Sequence, residues 1–144
     1  MRKQFEIYNG MLRQHPPDRF QMFREGGNLF ATTIAVLASA VQKLARVAPI
    51  REGTRLYRGL NRLMELPEAF FRPDNRGRRG FAEWGFLSTT QDKEIALKYS
   101  LGQQGHSLPM IMVVESSAVD RGANVQELSQ YPQVRRASVQ VLRL

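Results

Sequence analysis

Cysteine is absent from this 144-residue sequence, which excludes disulfides, thiolate nucleophiles and sulfur-ligated zinc together. Histidine is scarce. Of the two present, His15 stands beside Pro16-Pro17 and His106 lies in a polar stretch, and neither has a carboxylate at metal-ligand spacing, so no metal is expected. Long hydrophobic runs are missing too. The longest uncharged apolar stretch, Asn28 to Gln42, falls short of the roughly 20 residues that cross a bilayer, and it does not follow a short basic N-terminus. Neither a membrane span nor a secretory signal is therefore read, and an intracellular location is the expectation. Acidic residues are the remaining deficit: 13 Asp and Glu against 21 Lys and Arg give a net charge of +8. That excess favours anionic partners, such as nucleic acid or phosphorylated ligands, without choosing among them.

What is present fits one ordinary domain over residues 1–144, because the length is close to about 150 residues and 42% of the chain is hydrophobic. The pattern is helix-like in the first third and strand-like afterwards, which predicts an α+β fold. Phe5 to Tyr8 and Arg19 to Phe23 read as two short helices around His15-Pro16-Pro17. Asn28 then reads as the N-cap of a longer helix, with Phe30, Ile34, Leu37, Val41 and Leu44 on one face, Lys43 and Arg46 in its last turn, and Pro49 closing it. Thr54 to Gly59 alternates as a strand with Arg58 at its rim. Trp84 to Thr89 is the next strand, and Thr89-Thr90-Gln91-Asp92 matches a capping box before a helix over Asp92 to Ser100. The apolar run Pro109 to Glu115 predicts a strand buried on both faces, and Ala137 to Leu144 a last, short and terminal one, expected to be the least stable element. Trp84, Phe86 and Tyr99 read as core. Arg72 to Gly80 is a basic, turn-rich loop without the interleaved aromatics of stacking nucleic-acid binders.

Four segments in order carry more: Leu56-Tyr57-Arg58-Gly59, Glu83-Trp84-Gly85-Phe86-Leu87-Ser88-Thr89-Thr90, Ala118-Val119-Asp120-Arg121-Gly122-Ala123 and Leu128-Ser129-Gln130-Tyr131-Pro132. Their order resembles the arginine-specific mono-ADP-ribosyltransferases, whose signature is an Arg, a Ser-Thr-Ser/Thr strand and a Glu-x-Glu turn. The resemblance runs from about Tyr8, through Gly27 to Ile34, to Pro132. It implies a helical N-terminal lobe packed on two small mixed β-sheets with an NAD cleft. It also implies transfer of ADP-ribose from NAD to a protein arginine, with release of nicotinamide and no metal. Arg58 would then hold the NAD phosphates, Gly59 would offer backbone groups to the nicotinamide amide, and Ser88 would brace the catalytic carboxylate, with Thr89 and Thr90 supporting the strand end. Read from the residues alone, Ser88-Thr89-Thr90 is a helix cap, and both roles remain open. The implied partners are NAD and a protein arginine acceptor, with neither membrane nor nucleic acid expected, and the Arg72 to Arg79 loop is either solvated or turned towards the NAD phosphates.

The third signature element is not matched. After Tyr131-Pro132 the chain reads Gln133-Val134-Arg135-Arg136, so Val134 stands at the position of the arginine-recognising Glu and Arg136 at that of the catalytic Glu. The chain is therefore expected to be short or altered after Pro132, with weak or no transferase activity. Glu115, Asp120 and Glu127 are the stand-in carboxylates, and Glu127 is the one named for the site. Two alternatives stay beside the transferase: a catalytically silent module that binds NAD or a protein, and a basic nucleic-acid binder.

Overall fold

The computed structural model describes residues 2–60, 68–80, 83–101, 110–118, 122–128 and 137–140. Their elements make an α+β fold, with three helices leading into strands. Helix α1 (Arg2–Arg13) turns the buried Asn9 and Met11 inward. Helix α2 (Pro17–Glu25) starts on proline, whose fixed φ suits a first turn, and stops where Gly27 takes a φ of 70°. Helix α3 (Ala31–Val47) has Phe30 at its N-cap position, two residues later than the Asn28 cap expected from sequence. Asn28 Oδ1 accepts the N–H of Phe30 at 3.1 Å, and Phe30 itself sits at φ 54°. The asparagine thus closes a turn ahead of the helix and does not cap it. The Phe30 ring meets Tyr8 at 5.6 Å and Phe23 at 5.5 Å, both edge to face, which gathers the three helices at one point. Pro49 follows the end of α3, as expected, and bridges to Ala123.

The strands are β1 (Arg55–Leu60), β2 (Leu87–Thr90), β3 (Met110–Glu115), β4 (Ala123–Asn124) and β5 (Ala137–Gln140), in the spatial order β3-β1-β2-β5-β4. All four pairings are antiparallel, so the expected pair of small mixed sheets is corrected to one antiparallel sheet among the described residues. That sheet nevertheless has two leaves. β1 and β3 pair over six residues, from Arg55↔Glu115 to Leu60↔Met110, and β2 and β5 over four, whereas a single pair, Tyr57↔Thr90, joins the leaves. A ladder that ends after one pair leaves the strands free to diverge beyond it.

Helix α4 (Lys93–Leu101) lies across β1 and also touches β2 and β3. Its cap is Asp92, whose Oδ1 accepts the N–H groups of Glu94 at 2.9 Å and Ile95 at 3.4 Å; Thr90 Oγ1 accepts the Asp92 N–H one step earlier. The capping box expected from Thr89 is corrected accordingly. Helix and sheet approach so closely at Gly59 that a Cβ there would overlap the Ala96 carbonyl oxygen and stand 2.7 Å from Ser100 N. Ala96 and Ser100 are inward and almost fully buried, and Tyr99 is turned out and 49% exposed. Trp84 is 60% exposed, before β2 begins, while Phe86 is buried. The core assignment therefore holds for Phe86 and is corrected for Trp84 and Tyr99. β3 is corrected too: it is an edge strand with Val113 and Glu115 exposed, because an apolar run of this length reads alike for a strand covered on both faces and for one covered mainly on one. β5, expected as a short terminal strand, lies between β2 and β4 with partners on both sides.

Candidate functional site

Arg58 sits within β1 opposite Met112 of β3, with Gly59 and Leu60 continuing the strand. The rim position expected from sequence is thus corrected to the interior of a strand. Its guanidinium Nη1 donates to the carbonyl oxygen of Ser88 at 3.0 Å. Alternation from the Tyr57↔Thr90 pair puts Ser88 on the face of Tyr57 and Arg58 on the opposite face, which is why the contact runs through the Ser88 main chain.

Helix α1 supplies the rest. Asn9 and Arg13 are four residues apart and share a helix face. Arg13 places a fork on Glu83, Nε to Oε1 at 2.7 Å and Nη2 to Oε2 at 2.9 Å, while the Gly85 N–H donates to Oε1 at 2.7 Å. One turn back, the fully buried Asn9 clamps the main chain of Phe86: its Oδ1 accepts the Phe86 N–H at 2.6 Å, and its Nδ2 donates to the Phe86 carbonyl at 3.3 Å. Between these contacts lies Gly85, where a Cβ would stand 2.7 Å from Asn9 Oδ1 and 3.0 Å from Arg13 Nε. The glycine lets helix and strand entry meet.

Charge in this cluster does not balance. Burial, and next the positive charge of Arg13, hold the Arg58 pKa below its ordinary value, with Glu83 opposing them. For Glu83, burial pushes the pKa up, but the Arg13 hydrogen bond, the Gly85 N–H and the charges of Arg13 and Arg58 outweigh it, so the carboxyl lies below its ordinary value. Glu83 is already forked by Arg13, and among the described residues Arg58 has no ion pair of its own. Two guanidiniums around one carboxylate leave a half-buried positive charge with donors to spare, an arrangement suited to a phosphate or carboxylate.

The other site expectations divide. Gly59 has a packing reason of its own in the closeness of α4. Ser88 is half-buried; Thr89 and Thr90 are buried, with the Thr90 hydroxyl engaged at the start of α4. Glu127 is exposed on the 3₁₀ turn Gln126–Leu128 beyond β4, and β4 lies three strand spacings from β1, about 14 Å at ~4.8 Å each. The structure does not bring Glu127 to Arg58. Glu115 is exposed at the end of β3 opposite Arg55. Val134, Arg136, Asp120 and His106 lie outside the described residues. Among the described residues no group of three His, Asp or Glu could hold a metal ion, and no helix is long and apolar enough to cross a membrane.

Asn9, Arg13 and Glu83 were not singled out from sequence. The spacing of Asn9 and Arg13 was the available signal, and it is shared by any exposed helix face. A surface pocket of about 650 Å³ opens at residues 68–80, and its lining includes none of Arg58, Arg13 and Glu83. No family model, curated protein or solved structure matches this chain.

Proposed function

We propose that this chain is a domain of the arginine-specific mono-ADP-ribosyltransferase type that binds NAD as substrate through Arg58, with transfer to a protein arginine weak or absent. The observation that carries the reading is the half-buried guanidinium of Arg58, desolvated, repelled by Arg13 and hydrogen-bonded to the Ser88 main chain, within the segment order of that family. A diphosphate would supply the negative charge this cluster lacks. By the resemblance, Ser88, on the sheet face opposite the Arg58 side chain, would lie at the nicotinamide end with the buried Thr89 and Thr90 behind it, beside the Gly59 main chain under α4.

The reaction builds positive charge on the ribose as the bond to nicotinamide breaks, and a carboxylate is the group that stabilises it. Arg136 at that position does the reverse. A unit charge about 4 Å away, at an effective dielectric near 20, is worth roughly 4 kcal/mol, so exchanging attraction for repulsion costs on the order of five decades in rate. Val134 likewise offers nothing to an incoming guanidinium. These two substitutions favour a second reading of the same site, a silent module that holds NAD without turning it over.

Calorimetric titration with NAD, on the chain and on Arg58→Ala, tests the binding. The variant is expected to lose about 1.5–3 kcal/mol, the value of a charge-assisted contact; equal affinity for both proteins removes Arg58 from this role. Nicotinamide release tests the chemistry. The chain itself should release little, Arg136→Glu should recover mainly hydrolysis of NAD, and Val134→Glu with Arg136→Glu should add transfer to a small guanidino acceptor. Release by the unaltered chain equal to that of the double variant would show that Arg136 does not stand at the catalytic position.

A further inference from the structure

Four arginines fall within residues 72–79: Arg72, Arg76, Arg78 and Arg79. Like charges this dense drive a loop open unless something holds it. Here Asp74 does. Its Oδ1 accepts the N–H groups of Arg76 at 2.8 Å and Arg78 at 2.9 Å, and its Oδ2 accepts Arg78 Nε at 3.1 Å. The Asp74 N–H donates to the Arg78 carbonyl at 2.8 Å, and the Gly77 N–H donates to the Asp74 carbonyl at 2.9 Å, with Gly77 at a φ of 75° that suits glycine. The Gly80 N–H closes the base of the loop on the Ala69 carbonyl at 2.8 Å. Arg72 is held from the other side by Glu68 at 2.8 Å.

The outcome is a surface pocket of about 650 Å³, lined by Arg72, Arg78 and Arg79 with Glu68 and Asp74. We infer that this pocket is a second anion site, separate from Arg58, that takes a small phosphate monoester. Its volume lies within the range of about 300–1,000 Å³ usual for small ligands and is more than a bare phosphate fills. The Asp74 oxygens are already taken by N–H donors, so what the pocket offers an entering ligand is guanidinium. Among the described residues Arg79 has no ion pair, which leaves its whole fork for the oxygens of one phosphate. A small ligand fits better than a polymer: three arginines against two carboxylates leave one net positive charge in the lining, whereas nucleic-acid binders commonly make about 6–10 phosphate contacts. Because Asp74 holds the loop main chain and the Arg78 side chain before binding, that part of the ordering cost is met in advance.

The test is an NMR titration of the full chain that follows the amide signals of residues 76–80, with a nucleoside monophosphate and, separately, inorganic phosphate as probes. The monophosphate is expected to shift these amides and to bind at least about tenfold more tightly than inorganic phosphate. Arg79→Gln should weaken it about tenfold or more, the loss of one charge-assisted contact, and Arg58→Ala should leave the loop shifts within about twofold. Asp74→Asn should also weaken binding, although it removes a negative charge beside the ligand, because the loop loses its brace. Tighter binding by Asp74→Asn, equal affinity for the two probes, or loss of the loop shifts in Arg58→Ala would each overturn the proposal. So would a single-stranded oligonucleotide that saturates the same amides at lower concentration than the monophosphate. Loss of NAD binding in Arg58→Ala with the loop shifts intact supports it, and keeps the two sites distinguishable.

Discussion

Two arginine–carboxylate pairings in this molecule use the same groups and are placed so differently that they have little else in common. In the first, Arg13 reaches 70 positions along the chain to fork Glu83, whose side chain is 13% exposed. In the second, Glu68 and Arg72 are one helical turn apart, with side chains 72% and 80% exposed. Water competes fully for the exposed pair, so it contributes little to stability. The Glu83 carboxylate is partly withdrawn from water, and its charge is tolerable because Arg13, the Gly85 N–H and Arg58 take the place of the solvent it has lost. Long-range contact and burial, not the identity of the residues, separate a link that sets the tertiary structure from one that orders a surface loop.

The hardest test of this contrast is Glu83→Ala. It leaves Arg13 without its fork and Arg58 with more repulsion, and about 3 kcal/mol of stability should be lost in denaturant unfolding; a loss under about 1 kcal/mol would place this pair with the surface ones. Asn9→Ala comes next, at about 2 kcal/mol, because both main-chain groups of Phe86 would be left buried without their partner. Acid supplies the third test. A carboxyl whose folded pKa lies below its unfolded value contributes stability above the unfolded value, about 4.3, and loses that contribution as pH falls through the folded value. The stability difference between the chain and Glu83→Gln should therefore be constant above about pH 5 and shrink below about pH 4. A difference that holds unchanged to lower pH would mean that the charge of Glu83 does not matter.

Arg58→Met should change stability by less than about 1 kcal/mol, since the fold disfavours this guanidinium even while Ser88 accepts from it. A large loss would make Arg58 a structural strut and weaken its assignment to a ligand. The smallest effect belongs to Glu68→Gln, at no more than about 0.5 kcal/mol by thermal unfolding. A larger one would mean that the 68–80 loop is coupled to the core.

Much of this architecture was legible locally. The apolar period of α3, the proline start of α2, the alternation of β1 and the arginine-rich turn each depend on residues within a few positions of one another, where propensity and turn chemistry act. The strand at Ala137–Gln140 was legible as a strand, but its place between β2 and β4 was not, since pairing partners are chosen by the whole sheet. For the same reason the run Met110–Glu115 could be read as apolar and extended but not as an edge. At the candidate site, Arg58 and Ser88 stood out by type and order. Asn9, Arg13 and Glu83 did not, because an asparagine or a carboxylate acquires its role only when a distant segment removes its water and presents a matching donor or acceptor. Folding brought α1 against residues 83–86, where Asn9 holds the Phe86 main chain, and that contact set the charges of Arg13 and Glu83 beside Arg58.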